Sequence, residues 1–403
     1  MNVSELRQDF PLFQAQNGKK QVIYLDNACM SLRPRPVIEA VTRYYTDYSA
    51  CSGRSMHKLA AAVTAEVDEV RTLTAKFIGA AHKEEIIFTR NTTEAINLVA
   101  HSLDLKAGDA VLVTGKEHNS NLIPWQMLVK QKGIQLLVLP EGSDGQFDQT
   151  IFEQSLTPQV KLVSFGYSSN LDGVTLPAES IIKAAHKKGA WVLLDAAQAA
   201  PHRKINVRAL DVDFLAFSGH KMLGPSGTGV LYGKAKLLDQ LAPFLVGGDT
   251  VASSTYDSCE FLPVPERFEA GLQDYAGLFG LGTALQYLSA IGFDAIQKHE
   301  TLLNQQMSEG ARDVEGLHLF GPADPARRGG IFTFSIDGID SHRIALMLDQ
   351  MANVCVRSGQ HCVHSWFNAH HIQGSVRAST YFYNTPEEID LFLQNLKKIR
   401  KVL

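Results

Sequence analysis

No stretch of this chain approaches the roughly 18–20 consecutive apolar residues that a membrane-spanning helix requires. Neither sign of charge is gathered in a block, and the net charge is −4. That balance gives no footing for a nucleic-acid or membrane partner. The opening M-N-V-S-E-L-R-Q-D-F-P lacks the apolar core of a secretory signal. Cysteine is scarce: Cys29, Cys51, Cys259, Cys355 and Cys362 are odd in number, scattered, and form no C-x-x-C. Reduced thiols in a cytoplasmic protein are expected rather than a disulfide framework. No G-x-G-x-x-G follows a strand, G-P-S-G-T-G (224–229) leads into one instead, and there is no G-K-[ST]. Nicotinamide and P-loop sites are therefore disfavoured. Internal repeats and low-complexity segments are also absent.

What is present is an alternation. Residues 110–114, 134–139, 161–166 and 190–194 are short, near-continuous apolar runs of the kind that form strands buried on both faces. Helical patterns lie between them, such as 177–188, which Gly189 stops. This order implies parallel βαβ units around a central sheet. Residues 213–217 and 227–233 read as further strands. The texture changes after about residue 290. Helical patterns near 294–313 and 386–402 flank strand-like stretches at 331–336 and 352–357. The expected division is a large domain over 21–289 and a smaller α+β domain of 1–20 with 290–403.

Ligands of open α/β sheets bind beyond the carboxyl ends of the strands, so the residues after each run matter. Glu117, His118, Asn119 and Asn121 follow the first; Ser168, Ser169 and Asn170 another. Asp195 and Gln198 come next, then Ser218, His220 and Lys221, and Thr92-Thr93 open a helical run. A helix start with free N–H groups and hydroxyls suits a phosphate, although an ordinary cap has the same composition. An aspartate ending a buried strand needs a cation or a proton. A lysine in an apolar site has a lowered pKa and forms Schiff bases. Pyridoxal phosphate requires all three together. Gly219 is expected to allow a tight turn beside His220 and Lys221.

These motifs resemble the class V aminotransferase-fold pyridoxal-phosphate enzymes, and within them the group II (SUF-type) cysteine desulfurases. The resemblance runs from I-Y-L-D-N-A (23–28) through T-T-E-A-I-N-L-V-A (92–100), E-H-N-S-N-L-I-P-W-Q (117–126) and D-A-A-Q (195–198). It continues in F-S-G-H-K-M-L-G-P (217–225), R-F-E-A-G (267–271), R-S-G-Q-H-C (357–362) and R-A-S-T-Y-F-Y-N-T-P-E-E (377–388). It implies a type I transferase fold: a mostly parallel seven-stranded sheet in the large domain, with the small domain carrying a catalytic cysteine loop.

The resemblance also implies roles. Lys221 bonds the cofactor and shuttles a proton, Asp195 holds the pyridine nitrogen, Gln198 meets the ring hydroxyl, and His118 stacks on the ring. Thr93, Ser218 and His220 bind the phosphate, with Thr92 beside them. Asn170 and Arg377 hold the substrate carboxylate, a role suited to a bidentate arginine. Cys362 takes sulfur from L-cysteine, leaving alanine and a persulfide for an acceptor protein, and Arg357, which also belongs with Asn170 and Arg377 to the substrate site, assists its thiolate. A metal at Cys362 is disfavoured, because H-C-x-H followed by H-H is not a zinc spacing. The other four cysteines read as structural, with Cys51 nearest to substrate by motif. A homodimer and a place in sulfur metabolism, including iron–sulfur cluster assembly, come with the family. Departures lie at Gly53, 54–60, Leu272 and 363–367, which by motif are expected around the substrate and the persulfide. They keep open a selenocysteine or cystine lyase, another C–S lyase, or an idle scaffold paralogue.

Overall fold

Six of the apolar runs, joined by Ile86–Thr89, lie side by side in one sheet. The computed structural model describes residues 1–14, 21–142 and 145–402. Its strands are β1 (Ile86–Thr89), β2 (Ala110–Thr114), β3 (Gln135–Leu139), β4 (Val160–Gly166), β5 (Trp191–Asp195), β6 (Phe214–Ser218) and β7 (Gly229–Gly233). Their order across the sheet is β3-β2-β4-β5-β6-β7-β1, and only β7 runs against its neighbours. This is the mostly parallel seven-stranded sheet the family resemblance implies. Helices cover both faces, as a sheet with apolar side chains on both sides requires. One core includes Val63, Val70, Leu194 and Phe217. The other includes Ile96, Trp125, Leu193 and Phe214.

Strand boundaries move by one residue where polar groups decide them. Asp213, expected inside β6, lies just before it and accepts the Val192 N–H at 2.8 Å. His186 and Lys234 also bond its carboxylate, at 2.7 and 2.9 Å. That cross-strand anchor shifts β6 by one position, so Ser218 closes it.

A second, antiparallel sheet is built from β8 (Leu317–Leu319), β9 (Ile331–Ile336), β10 (Arg357–Gly359) and β11 (Ser375–Ser379), in the order β8-β9-β11-β10. The helices Phe293–Ala311, Ser341–Ala352 and Pro386–Val402 pack on it around a core that includes Leu303, Phe334, Leu348 and Phe392. The stretch 352–357 is not one strand. Asn353 turns left-handed at φ 54°, Val354–Cys355 pairs in parallel with Ile23–Tyr24, and Arg357 starts β10.

The amino-terminal segment crosses the division expected at residue 21. Phe10 and Phe13 pack in the larger core, whereas Ile23 and Leu25 pack in the smaller one. Arg7 pairs with Glu388 at 2.8 Å and donates to the Tyr383 carbonyl at 2.6 Å. Residues 15–20 of that segment lie outside the described residues. Among the described residues no single helix is long and apolar enough to cross a membrane.

Candidate active site

The carboxyl ends of β2, β4, β5 and β6 open onto a cavity of about 260 Å³ that β10 and β11 close from the other side. Its walls carry all twelve site residues expected from the sequence except Cys362, which sits at its edge.

Asp195 is the last residue of β5 and is buried. Its carboxylate accepts the Ala197 N–H at 2.9 Å, and burial raises its pKa against the pull of Lys221. Lys221 ends the single turn Gly219–Lys221 that follows β6. Burial lowers its pKa, and Asp195 opposes that shift. Gly219 is not in the left-handed region, so the expected reason for it is corrected. The requirement is space: a Cβ there would lie 2.1 Å from Thr228 Oγ1.

The helix Thr92–Ser102 begins on the cavity wall, and Asn91 caps it by accepting the Glu94 N–H at 3.0 Å. Capping by Asn91 leaves the threonine hydroxyls for other work. Ser218 Oγ accepts the Thr92 N–H at 2.8 Å and lies 2.7 Å from Thr92 Oγ1. Thr93 Oγ1 lies 2.7 Å from Ser120 Oγ. His220 stands beside this group, with its pKa pulled down to about 4, mainly by burial.

His118 follows β2 and lines the cavity. Its Nδ1 accepts the Ser120 N–H at 3.1 Å. Burial, then Lys221, Arg357 and Arg377, lower its pKa to about 3. The ring is therefore neutral with its proton on Nε2. Behind it, Glu117 accepts from Thr114 Oγ1 at 2.5 Å, Asn121 Nδ2 at 2.7 Å and the Gly166 N–H at 3.0 Å. Burial nonetheless pushes its pKa up to about 7.

The far wall belongs to the smaller core. Arg377 on β11 is buried, donates to the Asn170 carbonyl at 2.8 Å and lies 3.4 Å from Asp26. Asn170 Nδ2 donates to the His361 carbonyl at 2.7 Å, and Gln198 Nε2 to the Ala28 carbonyl at 2.7 Å. Arg357, opposite Arg377 in the register of β10 and β11, donates to Cys362 Sγ at 3.6 Å. His361 and Cys362 are consecutive left-handed residues, at φ 50° and 62°. Neither is a glycine, so the turn carries strain, and bonds hold it. Asn119 N–H donates to the Cys362 carbonyl at 2.8 Å. Trp366 Nε1 donates to Glu141 at 2.7 Å, and Val363 and Phe367 pack on Leu171.

The aminotransferase class-V family model matches residues 23–392. The chain belongs to the class-V aminotransferase family. A probable cysteine desulfurase from Synechocystis sp. is 41% identical over 397 residues, which span 97% of this chain and 94% of that protein. The apo cysteine desulfurase of Thermococcus onnurineus NA1 superposes with a TM-score of 0.95 at 37% identity, covering 100% of this chain and 99% of the other. The Escherichia coli cysteine desulfurase CsdA superposes at 0.92 with 31% identity, over 100% and 99% of the two chains.

In this member of the class-V aminotransferase family the residues present fit pyridoxal phosphate. The donor set at Thr92, Thr93, Ser218 and His220 suits a phosphate. A Cβ at Gly229 would lie 2.5 Å from Asn91 Cα, so the start of β7 is pressed against the cap that forms this cradle. Asp195 faces the cavity from the strand end, and the buried Arg377 Nε has no hydrogen-bond partner among the described residues.

Of the departures, 363–367 adjoins the Cys362 turn at the cavity edge, but the others lie away from the cavity. Gly53, Arg54 and Gln273 line a separate hollow, where Arg54 pairs with Asp249. Leu272 is 69% exposed. Cys51 does not line the cavity. Cys29, read as structural from the sequence, requires correction: it lines the cavity, and Arg357 Nη1 donates to its Sγ at 3.0 Å. His361, Lys116 and Glu117 also line it without having been assigned a role. No spacing signal marks Cys29, because Arg357, the donor to its sulfur, is 328 positions away.

Proposed function

We propose that this member of the class-V aminotransferase family is a pyridoxal-phosphate-dependent cysteine desulfurase that converts L-cysteine to L-alanine and a Cys362 persulfide. The observation that carries the reading is the placement of Lys221 on one wall of the cavity and of Cys362, with Arg357 donating to its sulfur, on the other. Bound pyridoxal phosphate supplies an electron sink for negative charge developing on the amino-acid carbon. The chain's own residues do the rest. Thr92, Thr93, Ser218 and His220 hold the phosphate, Asp195 the ring nitrogen, and Gln198 and the neutral His118 the ring itself. Arg377 and Asn170 orient the substrate carboxylate. Lys221 Nζ, its pKa lowered by burial, accepts and returns a proton at the substrate carbon. Cys362 Sγ forms a bond to the substrate sulfur as the bond between that sulfur and carbon breaks.

The reading includes a homodimer, an acceptor protein for the persulfide and a cytoplasmic location. A division into a larger part ending near residue 289 and a smaller part over 290–403 belongs to it too, with the amino-terminal segment packing into both cores. Large apolar side chains support the dimer: Met56, Val246 and Leu272 are largely exposed on segments that the Arg54–Asp249 pair and the Gly271-to-Gly248 hydrogen bond bring together.

The deciding experiment is product identity from L-cysteine with a reductant. Alanine with sulfide is expected. Pyruvate with ammonia would replace this reading by β-elimination, a C–S lyase on the same scaffold. A protein that binds no pyridoxal phosphate would be the idle scaffold.

A further inference from the structure

One guanidinium holds two sulfurs. Arg357 Nη1 donates to Cys29 Sγ at 3.0 Å and Nη2 to Cys362 Sγ at 3.6 Å. Both cysteines are half-buried and free. Each backbone is fixed independently of the other. The Ala28 N–H donates to Ser379 Oγ at 2.9 Å, Asn27 Nδ2 donates to the Ser379 carbonyl at 2.7 Å, and the Cys29 N–H closes a turn on the Asp26 carbonyl at 3.1 Å. Cys362 is pinned through its carbonyl by Asn119. A cysteine that only filled space would not need a cavity wall and a charged donor shared with the proposed nucleophile. A fork that reaches both sulfurs can follow negative charge from one to the other without moving.

Resting on the desulfurase reading, we propose that Cys29 is a second sulfur-handling residue, which takes the outer sulfur of the Cys362 persulfide. The Cys29 Sγ bonds to the outer sulfur as the bond between that sulfur and Cys362 Sγ breaks. The electron pair leaves on Cys362, and the Cys29 proton passes to it. Cys29 becomes the persulfide and Cys362 the thiol, so the step is redox-neutral and needs no co-reactant. Cys362 is thereby freed for a second substrate before any acceptor arrives.

The test uses the holoenzyme with L-cysteine and neither reductant nor acceptor. It is quenched with an alkylating agent and read by non-reducing peptide mass spectrometry alongside a count of alanine. The wild type is expected to carry extra sulfur on both the Cys29 and Cys362 peptides, with a burst of about two alanines per chain. Cys29→Ser and Cys29→Ala should carry it on Cys362 alone, with a burst of about one. Cys362→Ser should carry none on Cys29. A wild-type burst of about one with sulfur only on Cys362 overturns the proposal and leaves the desulfurase reading intact. Sulfur on Cys29 in Cys362→Ser, or a Cys29–Cys362 disulfide in place of the Cys29 persulfide, also overturns it. No alanine from the wild type overturns the desulfurase reading itself.

Discussion

Lys221 and Cys362 divide the proposed reaction between a proton and a sulfur. Lys221→Ala is expected to abolish alanine formation. Cys362→Ser should lower it at least about 100-fold while the absorbance of bound pyridoxal phosphate persists, since Cys362 is the nucleophile but lies outside the cradle. Desulfuration at the wild-type rate by Cys362→Ser would refute the role given to that thiol. His361, adjacent to Cys362, is 3% exposed, and its pKa is pulled down to about 2, mainly by burial and then by Arg377 and Arg357. The folded state therefore binds fewer protons at this ring than the unfolded chain does. Its contribution to stability is complete well above pH 6.5 and is lost as pH falls from there toward 2. Between pH 8 and 5 the loss is about 2 kcal/mol. His361→Asn keeps a residue tolerant of the left-handed turn, and it should shrink the fall in urea midpoint between those pH values. Equal falls in the two proteins would refute the assignment. Most of this scale was legible in the sequence: Ser218, His220 and Lys221 are neighbours in the chain, as are Asp195 and Gln198. Cys29 and His361 were not, because the contact of Cys29 with Arg357 and the burial of the His361 ring are made only by tertiary packing.

At the scale of elements, the cradle depends on how closely β7 approaches the start of the helix Thr92–Ser102. Gly229→Ala would place a methyl group 2.5 Å from Asn91 Cα, where backbone cannot swing aside as a side chain can. The overpacking should cost about 1–3 kcal/mol. It should also move Thr92 off Ser218, raising the dissociation constant for pyridoxal phosphate at least about tenfold, as read by absorbance titration. An unchanged constant would show that the cradle does not need this contact. Periodicity revealed the strands and helices because a two- or 3.6-residue repeat is written locally. It missed the one-residue shift of β6, set by the bonds of Asp213 to Val192, His186 and Lys234, and the break at Asn353.

At the scale of the whole molecule, the R-F-E-A-G motif has a structural reason. Glu269 grips Arg71 with two bonds of 2.7 and 2.8 Å and also accepts the Phe88 N–H at 2.7 Å. This ties the helix Lys58–Ile78 and β1 to the segment before the helix Tyr275–Ile291. Glu269→Ala leaves a buried guanidinium unpaired and should cost about 3–5 kcal/mol in urea unfolding; a loss below about 1 kcal/mol would show that the pair is dispensable. Light scattering of the purified protein is expected to give the mass of two chains, and Met56→Glu with Leu272→Glu to shift it toward one. A wild-type monomer would count against the dimer.

Strand and helix order and the chemistry of each local motif are written in the chain, since apolar spacing and adjacent polar residues act over a few positions. Tertiary structure alone decided what the motifs face. The pairing of Asp26 with Ser379 and of Arg357 with Arg377 brings the second sheet's residues to the first sheet's cavity. Strand register fixes such meetings, and register is settled by packing across hundreds of intervening residues, which leaves no local mark.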